Sequence, residues 1–123
     1  MTPFGLKLRS LRKNKNISIT ELSKILKVST PYLSMLENGK RGKPPNGMVE
    51  LICAYFGLIW DDAEEVKNLA KISDINVQIN TNRLGVNATM LTNVLKNNIR
   101  WLTNKQLIEL SETIERMVQK SQK

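Results

Sequence analysis

The stretch from Ile17 to Gly42, ISITELSKILKVSTPYLSMLENGKRG, limits the folds open to this 123-residue chain more than any other. Ser18-x-x-Glu21 is a capping box: the serine hydroxyl can accept from an amide three residues on, and the glutamate can reach back. Leu22, Ile25 and Leu26 recur at helical spacing. Lys27-Val28 fills a tight turn, with Val28 pointing inward. Ser29 is a natural cap for a second helix, and Pro31 is tolerated in its first turn. Leu33 and Leu36 face the core, and Asn38-Gly39 ends the helix, since Gly39 is free to take positive φ. The prediction is two short helices, the second over residues 29–37, followed by a basic loop. In that layout the second helix can lie in the major groove of DNA.

Charge points independently to the same partner. Lys7, Arg9, Arg12, Lys13, Lys15, Lys24, Lys27, Lys40, Arg41 and Lys43 face only Glu21 and Glu37 within the first 44 residues. Cations and acids balance over the remainder, so the net charge of +8 sits in the first third. A one-sided positive field suits a polyphosphate partner, here double-stranded DNA.

Other classes are disfavoured. The length fits one domain, or one small domain with an appendage, and a modest core. The N-terminus, MTPFGLKLRSLRKN, lacks the continuous apolar run of a signal peptide, and Leu51 to Trp60 is too short to span a bilayer. A soluble, cytoplasmic protein without a membrane partner is expected. Cys53 is the single cysteine, so no intrachain disulfide forms, and its setting in LICAYF suggests a buried thiol. There is no histidine. That removes the commonest general base and metal ligand, so no metal, cofactor or enzymatic activity is expected. Asp61–Asp62 and Glu64–Glu65 read as complements to a helix dipole rather than as catalytic pairs.

Around the central motif, Phe4, Leu8 and Leu11 mark a helix over residues 3–14, with Pro3 in its first turn. Val49, Ile52, Cys53 and Phe56 mark a fourth helix stopped by Gly57. Val66, Leu69, Ala70 and Ile72 mark a fifth, opening near Asp61. Then Ile75, Val77 and Ile79 alternate with Asn76, Gln78 and Asn80, the period of a strand. A lone strand leaves backbone groups unpaired, so it is expected to pair with its copy in a second chain or with residues near Leu84–Val86, unless it is an extended loop. Met90, Leu91, Val94, Leu95, Ile99 and Leu102 form one amphipathic face. Thr103-x-x-Gln106 caps a last helix with Leu107, Leu110, Ile114, Met117 and Val118 inside, fraying over Lys120–Lys123. Trp60 and Trp101 read as packing residues and Tyr32 as a core-edge residue.

Leu8, Leu11, Arg12, Ser18, Glu21-Leu22, Leu26, Val28-Ser29, Tyr32-Leu33-Ser34 and Leu36-Glu37-Asn38-Gly39-Lys40-Arg41 together resemble the Cro/CI-type helix-turn-helix family (the XRE family) of phage and bacterial repressors. The resemblance covers about the first half of the chain. It implies a five-helix Cro/CI-type domain; with the periodicities beyond it, the chain is expected to be mostly α, that domain being followed by a small α-rich dimerisation region with one short β-strand. The boundary is expected at Leu58, with residues 1–58 binding DNA and residues 59–123 forming a helical oligomerisation region. Base-facing positions of the family fall here on Thr30, Pro31, Ser34 and Met35, a weakly polar set without a bidentate reader. Phosphate-facing positions fall on Ser18, Ser29, Asn38, Lys40, Arg41 and Lys43. Ile19 stands where the family often has a phosphate-gripping Gln.

One recognition helix reads few base pairs, so such proteins dimerise on palindromic operators. Ile75, Val77, Ile79, Leu91, Leu95, Leu107, Leu110 and Ile114 are the expected homodimer contacts. The expected function is a sequence-specific transcriptional regulator acting as a homodimeric repressor. The competing reading is an antitoxin, its first half on DNA and its second half covering a toxin. An antirepressor is a further candidate partner of that half.

Overall fold

The structure, a computed structural model, describes residues 1–121. Seven α-helices run in chain order: α1 (Pro3–Asn14), α2 (Ile19–Leu26), α3 (Thr30–Asn38), α4 (Asn46–Tyr55), α5 (Trp60–Lys71), α6 (Val86–Asn98) and α7 (Asn104–Ser121). A short 3-10 turn, Ile99–Trp101, follows α6. The chain divides into two units, Met1–Val77 and the part from Gln78 onward.

In the first unit, caps fix where helices begin. Thr2 is extended, and its hydroxyl accepts from the Gly5 amide at 3.0 Å, with Pro3 in the first turn of α1. Ser18 accepts from the Glu21 amide at 3.0 Å. The Ser18 hydroxyl also donates to the Glu21 carboxylate at 3.4 Å, so the glutamate reaches back to the side chain of the cap rather than to its amide. Ser29 accepts from the Tyr32 amide at 3.1 Å. The turn between α2 and α3 bends through Lys27 at φ 59, and the Val28 amide returns to the Ser23 carbonyl at 3.0 Å. Gly39 ends α3 at φ +79, and a Cβ there would stand 2.5 Å from the Met1 Cα, so both conformation and space demand glycine.

The core of this unit joins Phe4 and Leu8 of α1, Leu22 and Leu26 of α2, Leu33 and Leu36 of α3, Met48, Val49, Ile52 and Cys53 of α4, and Val66 and Ala70 of α5. Each fully buried aliphatic side chain contributes about 1.5–3 kcal/mol. Burial pushes the Cys53 thiol above its ordinary pKa, so it stays protonated. Helix α1 packs on α3 and α5, and α4 packs on α5. The boundary expected at Leu58 therefore falls inside a single packed body. Helix α5 supplies Val66, and beyond it the buried Ser73 hydroxyl accepts from the Phe4 amide at 2.9 Å and donates to the Leu69 carbonyl at 2.6 Å. Ile25 and Ile72, placed on inward stripes by periodicity, are instead solvent-facing.

Residues 75–80 depart from expectation: among the described residues there is no strand. Asp74 accepts from the Asn76 amide and Asn80 from the Asn82 amide, each at 3.0 Å, so side chains turn the backbone where a ladder would need it extended. The segment has β-branched alternation but no partner edge, and alternation alone does not hold a strand.

In the second unit, the capping box at Thr103 and Gln106 forms as read: the Thr103 amide donates to the Gln106 side chain at 3.0 Å and the Gln106 amide to the Thr103 hydroxyl at 3.2 Å. No residue from 78 to 121 is buried. Leu91, Leu95, Leu110 and Ile114 are exposed and Leu107 is half-buried. Trp101, like Trp60 of the first unit, is largely exposed rather than packed. No helix of the described residues is long and apolar enough to cross a membrane.

Candidate nucleic-acid interface

Helix α3 has a buried side formed by Leu33, Leu36 and Glu37. Pro31 is exposed, and Thr30, Ser34 and Met35 are half-buried. Pro31, Ser34 and Met35 lie on the face of α3 left open by the core, and Thr30, two turns before Glu37, lies at its edge. The phosphate-facing candidates Ser18, Ser29, Asn38, Lys40, Arg41 and Lys43 are all exposed. The loop after α3 is held to that helix, because the amides of Lys40 and Arg41 both donate to the Met35 carbonyl, at 2.9 and 3.2 Å. The Arg41 guanidinium lies 5.7 Å from the centre of the Tyr32 ring, close enough for a weak cation–π attraction.

Hydrogen bonding divides the hydroxyl candidates. Ser18 uses its hydroxyl in both directions within its own capping box. Ser29 accepts at its cap and keeps its proton to donate outward. Asn38 accepts from the Arg9 guanidinium and donates weakly to Ser34 at 3.5 Å, which ties α1 to the end of α3. Thr30 shares a 2.9 Å hydrogen bond with Ser23.

Glu37 is the residue that the reading of this face missed. It is 2% exposed and takes the Arg12 guanidinium in a fork, at 2.8 and 3.1 Å, with Arg9 at 3.5 Å. Arg12 also donates to the Ile17 carbonyl at 3.2 Å. The hydrogen bond to Glu37 holds the Arg12 pKa above its ordinary value, against the cost of desolvation. Arg12 and Arg9 are thus structural cations. Lys13, Lys24, Lys27, Lys40, Arg41 and Lys43 are exposed and in no ion pair among the described residues. A signal existed in the sequence: Glu37 sits one helical turn after Leu33, on the inward stripe, where a carboxylate needs a buried partner.

The dimerisation candidates are divided between the two units. Ile75 belongs to the first unit. A Cβ on Gly42 would stand 3.2 Å from the Ile75 side chain, so Gly42 admits this segment beside the basic loop. Val77 and Ile79 are exposed, and the remaining candidates lie on α6 and α7 of the second unit.

Comparison with known proteins agrees with the geometry of the first unit. The helix-turn-helix family HTH_3 matches residues 8–59. An uncharacterized HTH-type transcriptional regulator of Bacillus subtilis (strain 168), RghRB, is 35% identical over 62 residues, covering 50% of this chain and 45% of that protein. The HTH-type transcriptional repressor RghR of the same organism is 41% identical over 65 residues, covering 49% of this chain and 48% of the repressor. The chain thus aligns with about half the length of each of these relatives. No solved structure matches it significantly. Matched residues, capped helices and basic loop agree: residues 8–59 form a helix-turn-helix domain of the Cro/CI (XRE) type.

Proposed function

We propose that the chain is a sequence-specific DNA-binding transcriptional regulator that acts as a homodimeric repressor on a palindromic operator. The observation that carries this is the open face of α3 and its edge: Thr30, Pro31, Ser34 and Met35 are flanked by Ser29 and by the exposed cations Lys40, Arg41 and Lys43. Helix α3 enters the major groove, and the loop after it grips phosphate. The relative named as a repressor supports the sign of regulation.

Support for the homodimer comes from the second unit. Its helices carry Leu91, Leu95, Leu110 and Ile114 to solvent.

Footprinting over the region upstream of its own gene tests the regulator reading. Purified protein should protect one palindromic site, with half-sites about one duplex turn apart. Lys40→Ala should weaken binding to all sequences and reduce the salt slope by about one. Protein that binds no duplex better than a random one would end this reading.

A further inference from the structure

We infer that Thr30 reads its base as a hydrogen-bond acceptor only, because a relay through Ser23 consumes its proton. The inference rests on the proposed placement of α3 in the major groove. Its basis is the Ser23 hydroxyl, which belongs to a residue 3% exposed between α2 and α3. That oxygen lies 2.7 Å from the Thr20 carbonyl and 2.9 Å from the Thr30 hydroxyl oxygen. A carbonyl only accepts, and a serine hydroxyl has one proton. The Ser23 proton therefore goes to Thr20, and the bond between Ser23 and Thr30 is made with the proton of Thr30. The relay runs one way, Thr30 to Ser23 to Thr20. What Thr30 retains for a ligand is lone-pair capacity.

A free threonine hydroxyl is indifferent to base identity, since it rotates to donate or accept. With its proton fixed inward, Thr30 favours an edge that offers a donor. In the major groove those are the amino groups of cytosine and adenine. Guanine and thymine present acceptors at the corresponding positions, O6 and O4, and an acceptor facing an acceptor is left unpaired and desolvated. Ser23 is thereby a specificity-determining residue that touches no DNA: it sets the polarity of Thr30 from behind.

The test is selection from randomised duplexes with full-length protein, repeated for Thr30→Val and Ser23→Ala. Wild-type protein should enrich one base pair about tenfold at one symmetric position in each half-site, and Thr30→Val should erase the preference at that position alone; base analogues lacking the exocyclic amino or carbonyl group, placed on one strand at a time, then identify the base that Thr30 contacts, which should be the cytosine or adenine of that pair. Ser23→Ala frees the Thr30 proton, so it should admit guanine and thymine at that position while leaving the rest of the motif intact. Circular dichroism shows whether each variant keeps its helices. Thr30→Ser, which retains the hydroxyl, should keep the wild-type preference if Ser23→Ala proves unfolded. Wild-type binding that depends on a guanine or thymine carbonyl oxygen at the Thr30-dependent position, and not on the amino group of its paired base, overturns the inference, as does the absence of any such position in an otherwise enriched motif. Selection that enriches no motif at all refutes the DNA-binding reading instead.

Discussion

The two units of this chain carry similar amphipathic helices and use them differently. In residues 1–77 five helices turn their stripes on one another, and Phe4, Leu8, Leu22, Leu33, Leu36, Ile52 and Val66 all fall to 1% exposure or less. Helices α6 and α7 repeat that periodicity with Leu91, Leu95, Leu107, Leu110 and Ile114, yet nothing from 78 to 121 is buried. Periodicity reports that a face needs covering. Whether the cover comes from the same chain or another is decided by how many complementary faces one chain supplies.

The largest expected effect tests where the first unit ends. A fragment of residues 1–77 should unfold cooperatively on heating. A fragment of residues 1–58 lacks the buried Val66 and Ala70 of α5 and the Ser73 hydroxyl that receives the Phe4 amide. That loss is at least about 3 kcal/mol, a large part of the stability of so small a domain. Thermal melts followed by circular dichroism compare the two. Equal midpoints would show that α5 is an appendage and restore the boundary at Leu58.

A smaller effect separates cores by their source. Leu33→Ala, at a fully buried position, should destabilise the first unit by about 2–5 kcal/mol at every protein concentration. Ile114→Ala, at a position 54% exposed, should leave the denaturation of the first unit unchanged and raise the dimer dissociation constant. Urea denaturation and analytical ultracentrifugation read the two quantities. If Ile114→Ala sediments like wild type at every concentration, α7 is not the dimer face.

The legible features of this chain are those with local causes. Ser18, Ser29 and Thr103 announce their caps because the cap bond spans three residues, and Gly39 announces a helix end because only its φ requires glycine. Periodicity marks Leu33 and Leu36 as the inward stripe of α3, whereas Thr30, Pro31, Ser34 and Met35 are singled out only by the resemblance to the Cro/CI-type family. What sequence concealed depends on partners far along the chain. Glu37 meets Arg12, 25 residues away, and Ser73 meets Phe4, 69 residues away. Residues 75–80 misled for the converse reason: their alternation is local, but a strand is a relation with a second edge, which none of the described residues supplies. Trp60 and Trp101 misled because bulk and apolarity do not say which chain provides the contact.

The smallest effect carries the comparison to single hydrogen bonds. Thr2 and Thr103 both cap the start of a helix through a threonine hydroxyl, at 3.0 and 3.2 Å. Thr2 is 3% exposed and packed at the head of α1, whereas Thr103 is exposed at the head of α7. Replacing either by alanine removes an acceptor from amides near a helix start, which costs about 1 kcal/mol. At Thr2 the Gly5 amide loses its acceptor in a place water does not readily reach, so the cost should approach about 2 kcal/mol and lower the urea midpoint of the first unit. At Thr103 water can replace the hydroxyl, so the cost should stay below about 1 kcal/mol. It should register only in the helical signal of the second unit and, if the proposed dimer holds α7 folded, that signal should fall further as protein is diluted. Amide hydrogen exchange resolves the two sites in one experiment. Faster exchange at Gln106 and its neighbours in α7, with α1 through α5 unchanged, is the expected result for Thr103→Ala. Faster exchange in both units together would mean that they unfold as one rather than as two independent units.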